Sequence, residues 1–504
     1  MTRMESLFAE LKTLLMEAGD LTNSGFILQW DQETYMPPGG GTARSRQLAL
    51  LARLAQEKFI QPRIGQLLDA LRPYEESLPY EHDDASLIRV ARREYQRLIR
   101  IPPEFTARIN QHHSDTYMAW AQARPANDFA RVLPYLEKNL ELSRQLANFF
   151  APYEHIADPL IDYMDFGMRA GSLRKLFQEL RSAQVPIAQA ILAQPPADDT
   201  CLRQHFPEAE QLAISAEIAR QIGYDFNRGR IDKSAHPFTT SFSAGDVRIT
   251  TRIREDYLID CLFSDIHEGG HAMYEQGVDI KFDSTPLANG TSAGVHESQS
   301  RLWEYIVGHS LEFWEFFYPQ MQKAFPAQFN HVPLETFHRA INKVERSLIR
   351  TDADEVTYNL HVMLRFDFEL ALLEGTLAVK DLPEAWHARY QQDLGIAPKD
   401  DKDGVLQDVH WFSMPIGGAF QGYTLGNVMG AMFYAEALKA HPEIPVEMRQ
   451  GKFTTLHNWL IENIYRHGRK FTAPELVQRV TGRDLSIEPY ITYLSSKYGQ
   501  LYTL

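Results

Sequence analysis

Apolar residues return every three to four positions along most of the chain, with charged residues between them, which is the period of an amphipathic α-helix. Leu7, Phe8, Leu11, Leu14 and Leu15 set the pattern at the start, separated by Glu5, Glu10, Lys12 and Glu17. The same spacing predicts helices over 43–59, 83–100, 103–121, 127–150, 173–193, 207–222, 257–276, 293–309, 333–344, 353–373, 383–392, 425–438, 446–466, 473–480 and 488–498. Pro103, Pro207, Pro333 and Pro383 stand where such helices begin, a place that suits a fixed φ and a missing N–H. Residues 121–128 read as a loop. Strand periodicity is confined to residues 236–255, where alternating β-branched runs at 238–242 and 247–251 flank Ser243-Ala244-Gly245-Asp246. That is one antiparallel hairpin. No repeat and no Gly/Ser-rich linker divides the chain, so 1–504 reads as a single, mostly α domain made of two helical lobes.

Composition narrows the class. Of 504 residues, 44% are hydrophobic and 23% charged, which suits a packed globular body. Lys and Arg number 51 against 66 Asp and Glu, a net charge of −15 that lacks the basic footprint of a nucleic-acid or anionic-membrane binder. Two cysteines exclude a disulfide scaffold and suit a reducing compartment. Because no run reaches the roughly 18 apolar residues of a membrane span, and the N-terminal helix has charges throughout, a cytoplasmic protein is expected.

The chemistry gathers at His267-Glu268-Gly269-Gly270-His271. Histidines at i and i+4 share one helix face and reach one ion, and the intervening glutamate stands beside the water that the ion would activate. Zinc brings the pKa of such a water toward about 7. The two glycines are poor helix formers, costing about 1 kcal/mol each relative to alanine, so something must approach the backbone there. A zinc site of this type needs a third protein ligand. Gly277 stands where one class of zinc peptidase carries a third histidine, which excludes that class. Glu297, on the next helix, is the candidate; His296 is its rival, because helix neighbours diverge by about 100° and only one can face the ion.

At these residues the chain resembles the carboxypeptidase Taq family of thermostable metallocarboxypeptidases. His236-Pro237-Phe238, Asp246-Val247-Arg248-Ile249-Thr250, the HExxH segment and His296-Glu297-Ser298-Gln299 match the family's motifs in order. So do Ile349-Arg350-Thr351-Asp352-Ala353-Asp354 and Gly404 to Trp411, and near the start Trp30-Asp31-Gln32-Glu33-Thr34 with Met36-Pro37-Pro38. Residues 412–421 are less familiar. The resemblance implies a neurolysin-like helical fold split by a deep groove, with the small sheet beside the HExxH helix. It implies a homodimer that binds zinc or cobalt and removes C-terminal residues from peptides with broad specificity, C-terminal proline poorly.

Peptide hydrolysis at a carboxyl end sets further requirements. An edge strand can hold the substrate extended, and 238–251 is the candidate, with His236, Asp246 and Arg248 either binding substrate or bracing the metal helix. Oxyanion donors are expected at His410 and Tyr423, each with a structural alternative: a bond to Asp408 and core packing. A cation must meet the free carboxylate. Arg350 is the first choice, with a salt bridge to Asp352 or Asp354 as its structural alternative; Arg248, Arg252 and Lys497 are rivals. Asp265, Glu275, Asp352, Asp354 and Asp408 are possible partners for the ligand histidines. Trp303, Phe313, Trp314, Phe316 and Phe317 suit a core or a dimer interface. Two other classes remain: a related oligopeptidase cutting internal bonds, and a non-enzymatic helical interaction protein with a vestigial metal site.

Overall fold

The computed structural model describes residues 2–502, most of them helical. A long first helix, Arg3–Thr34, starts on a capping box in which Thr2 and Glu5 exchange side-chain and backbone hydrogen bonds. Its apolar stripe joins an N-terminal core built by Leu11, Leu15, Ile64, Leu67 and Ile88 with Val278 and Phe282. A second and larger core draws on residues from Ala119 to Tyr502, and a small third cluster of Phe105, Ile109 and Leu142 stands apart from it. No helix among the described residues is long and apolar enough to cross a membrane.

The expected hairpin is present and has a third member. Strands β1 (Ile231–Lys233), β2 (Thr239–Ser243) and β3 (Asp246–Thr251) lie in the order β1-β3-β2, with β2 antiparallel to β3 and β1 parallel to it. The sheet is therefore mixed rather than wholly antiparallel, because three residues are too few for β1 to show a period of two. Strand β2 is an edge, and β3 packs on the helix Ile259–Gly277 that carries the HExxH segment.

Three further expectations are corrected. The helix from Pro103 continues to Ala126, through the stretch read as a loop, and ends on Asn127 in the left-handed region. The helix predicted from 353 starts only at Tyr358, because Asp354 folds its carboxylate back onto the N–H groups of Val356 and Thr357. The one predicted over 446–466 breaks into Ile444–Met448 and Thr454–Asn463, with Gly451 between them at φ +73°.

Glycines decide how closely the site helices approach. A β-carbon at Gly270 would lie 2.7 Å from the Gln299 carbonyl oxygen and from Ser300 Cα, so the HExxH helix and Ala293–Arg301 meet backbone to backbone. This is the close approach the sequence foretold, and it belongs to Gly270 alone: at Gly269 the nearest atom is Ile222 Cδ1 at 3.9 Å. Helix Gln421–Ala440 packs on the other side of Ala293–Arg301, and a β-carbon at its Gly426 would overlap Cβ and Cγ of Glu297. Gly426→Ala should therefore destabilise the protein by about 1–3 kcal/mol. It should also weaken metal binding, both read by thermal unfolding with and without zinc.

Candidate metal centre

His267 and His271 leave one face of the HExxH helix, and Glu297 meets them from the helix Ala293–Arg301. One ligand atom from each of the three lies within 4.8 Å of the others. Nε2 of His267 is 3.7 Å and Nε2 of His271 is 3.3 Å from Glu297 Oε2. Both lie beyond the usual range of about 2.7–3.2 Å for an N–H···O hydrogen bond. They suit tetrahedral ligands about 2.0–2.2 Å from a zinc ion, which sit roughly 3.3–3.6 Å apart. The other ring nitrogens are already engaged, His267 Nδ1 with Glu304 Oε2 at 2.7 Å and His271 Nδ1 with His296 Nδ1 at 2.6 Å. Both rings thus turn Nε2 to a common point, and the donor set fits a zinc-type ion.

Arg301 sustains the carboxylates. Its Nε donates to Glu297 Oε1 at 2.7 Å and its Nη1 to Glu304 Oε2 at 3.3 Å. Burial would raise the Glu297 carboxyl, but Arg301, His267 and His271 hold it well below the usual range. Burial would lower His267, yet Glu297 and Glu304 outweigh it and lift the ring to about 9. Burial takes His271 down to about 4, against the pull of Glu297 and with the repulsion of the charged His267 ring. An ion requires both imidazoles neutral, so binding one displaces a proton. Glu268 is buried, and burial raises its carboxyl against the pull of His267 and of Thr239, whose hydroxyl lies 2.7 Å from Oε2.

Glu304 belongs to none of the motifs. It lies two helical turns beyond Glu297, so the helical period is the signal that could mark it. It stands in a π-helical stretch, Leu302–Val307, a form often found at functional sites. Of the five acids considered behind the histidines, Glu275 alone is in the line, and it reaches His271 only through His296 at 2.7 Å. His296, weighed as a ligand, stands behind His271 instead, its Nδ1 on the Nδ1 side of that ring and away from the point the ligand atoms share.

A second group of side chains continues from the ligands. The Arg301 guanidinium sits over the Tyr358 ring at 4.3 Å, and Tyr358 Oη accepts from Arg350 Nη1 at 3.0 Å. Arg350 lies 5.1 Å from the Tyr423 ring centre, and Tyr423 Oη is 3.1 Å from His410 Nε2. Arg350 is buried and bonds neither Asp352 nor Asp354; its partner is Asp408, at 2.7 Å from Nη2, which Arg365 also holds at 2.5 Å. His410 Nδ1 lies 3.5 Å from Asp408, too far for a firm bond, and has no hydrogen-bond partner among the described residues. Burial keeps the Tyr423 phenol protonated.

The remaining motif residues lie elsewhere. Asp246 grips Arg248 through two bonds of 2.8 and 2.7 Å, and Arg248 stacks on Trp30 of the first helix at 4.4 Å. Arg252 pairs with Asp260. His236 is exposed and is anchored through its carbonyl by Ser234. Lys497, partly buried, pairs with Glu355. Trp303, Phe313, Trp314 and Phe317 fill the main core, with Phe316 packed against it. Cys201 and Cys261 are buried free thiols.

Fold and site together define the class: a helical metallopeptidase. A family model for the carboxypeptidase Taq (M32) metallopeptidases matches residues 10–498, and the chain belongs to that family. It is 41% identical to "Thermostable carboxypeptidase 1" of Thermus thermophilus, over 99% of each chain, and 34% identical to "Carboxypeptidase 1" of Bacillus subtilis, over 98% of each. The crystal structure of the M32 carboxypeptidase from Deinococcus radiodurans R1 superposes with a TM-score of 0.96 at 47% identity, covering 99% of this chain and 100% of that one. The chain is a metallocarboxypeptidase.

Proposed function

We propose that this enzyme is a zinc carboxypeptidase that removes residues singly from the C-termini of peptides, with broad specificity and poor action on C-terminal proline. His267, His271 and Glu297 hold the ion. The observation that carries this reading is the pair of Nε2-to-Oε2 spacings, 3.7 and 3.3 Å, with both Nδ1 atoms engaged behind them. Cobalt accepts the same ligands. When bound, the ion polarises the scissile carbonyl and acidifies the attacking water.

The chain's own residues do the rest. Glu268 takes the proton of the water as its oxygen bonds to the carbonyl carbon, then passes it to the departing nitrogen as the C–N bond breaks. A carboxyl raised by burial is suited to both transfers. Tyr423 Oη–H and His410 donate to the oxygen that gains charge. Arg350 binds the free carboxylate: it carries five N–H donors, and one each on Nη1 and Nη2 has no acceptor among the described residues. Edge strand β2, whose Thr239 touches Glu268, lays the peptide out extended, while the Asp246–Arg248 pair braces the sheet on the first helix and His236 shapes its entry. The whole of 1–504 acts as one domain, the two cores forming the walls of the substrate groove. The paucity of cysteine supports a cytoplasmic enzyme, with peptides rather than nucleic acid or membrane as partners, and the family likeness supports a homodimer.

Stepwise shortening of a free-acid peptide, followed by mass spectrometry, tests the proposal. The amidated twin should lose nearly all turnover, and a chelator should stop the reaction until zinc is returned. Undiminished cleavage of the amide at internal bonds would instead mark an oligopeptidase.

A further inference from the structure

Behind His271 stands a line of polar groups that the reaction does not use. His296 Nδ1 lies 2.6 Å from His271 Nδ1, and His296 Nε2 lies 2.7 Å from Glu275 Oε1. Glu275 is 5% exposed and also accepts from the Gly290 N–H and the Asn289 amide, both at 2.9 Å. Two ring nitrogens in contact form a hydrogen bond only when one carries a proton and the other is bare. A carboxylate held by two N–H donors accepts a third, so the proton of His296 belongs on Nε2. An ion on His271 Nε2 puts that ring's one proton on Nδ1, so His296 Nδ1, 2.6 Å away, is the bare nitrogen that accepts it. That leaves the lone pair of His271 Nε2 facing Glu297.

We infer that His296, held by Glu275, is a positioning residue that fixes the tautomer and ring plane of His271 and so sets the enzyme's affinity for its metal ion. The inference rests on the reading of His267, His271 and Glu297 as ligands. The two ligand histidines are then served differently. His267 is held by the carboxylate of Glu304 directly. His271 is held through a second imidazole, and the carboxylate behind it, Glu275, stands one residue further back. The His296-Glu297 pair gains a geometric reason as well. Neighbours diverging by about 100° let one turn of helix offer a ligand to the ion and an acceptor to the back of another ligand.

The test uses full-length protein and zinc, with dissociation constants from competition with a chelator. Replacing an outer partner of a ligand histidine typically costs 10–100-fold in metal affinity. His296→Leu, which keeps bulk and removes the acceptor, should weaken zinc binding by about that factor. The His296 side chain is 25% exposed, so the thermal midpoint of the metal-free protein should stay near wild type. His296→Gln, whose amide oxygen can accept from His271, should recover part of the affinity. Glu275→Gln, which leaves the ring in place and alters its anchor, should fall between. The visible spectrum of the cobalt-loaded Leu variant should also shift as the His271 ring reorients. Wild-type zinc affinity in His296→Leu, or a Gln variant no better than Leu, would overturn the inference. Glu297→Ala tests the underlying reading separately: retention of one tightly bound zinc per chain there would mean the ligand set is wrong, whatever His296 does.

Discussion

Glu268→Gln is expected to stop turnover while the ion stays bound. Glutamine keeps the length and shape of the side chain and can still meet the Thr239 hydroxyl, 2.7 Å from Oε2 in the wild type. What it loses is the ability to take a proton from water and hand it to an amine. General acid–base groups contribute about 10²–10⁴-fold, so kcat should fall by at least two orders of magnitude. KM should move little, because no role in holding substrate is assigned to this carboxylate. Zinc content, measured on the same preparation, should remain at one ion per chain, since neither His267 nor His271 loses its partner. Turnover within a few-fold of wild type would remove Glu268 from the mechanism. Parallel loss of zinc would show instead that the side chain supports the ligands.

The parts of this site legible in the sequence are those that local geometry dictates. The helical period marks residues 257–276, and an i, i+4 pair on a helix has one outcome, so spacing alone pairs His267 with His271. Gly270 shows through its propensity cost, because a residue that weakens a helix must be repaid by a close contact. Glu297 is reachable because it begins the next amphipathic stretch. What stays hidden depends on non-local placement. Glu304 reaches His267 through a π-helical stretch, and no residue preference announces where a helix widens. His296 reads only as a rival ligand, because its true partner, Glu275, lies on the other helix. A bond to Asp408 is the structural alternative the sequence offers for His410, but two arginines from distant segments take that carboxylate. Strand β1 and the break at Gly451 escape for a simpler reason, being shorter than the periods that would reveal them.

The acid-to-amide preference of the enzyme should collapse in Arg350→Gln. On the proposed reading a free carboxylate would meet a buried guanidinium whose terminal nitrogens each keep one N–H without an acceptor among the described residues. Losing one partner of a buried charge pair costs 2–5 kcal/mol or more. Taking about 3 kcal/mol, kcat/KM on a free-acid peptide should drop by roughly two orders of magnitude. On the amidated twin, which has no charge to offer, it should scarcely change. The ratio of the two is therefore the quantity to measure. It also separates the two uses of Arg350, which in the resting protein ties Asp408 to Tyr358. If that structural tie were its whole contribution, removing it would disturb His410 and Tyr423 for every substrate, and acid and amide would slow in parallel. Arg365 stays bonded to Asp408 at 2.5 Å, so the aspartate is not left buried without a cation and the variant should fold. A parallel loss would move the carboxylate-binding role to another cation, with Arg248 and Arg252 next to be tested by the same ratio.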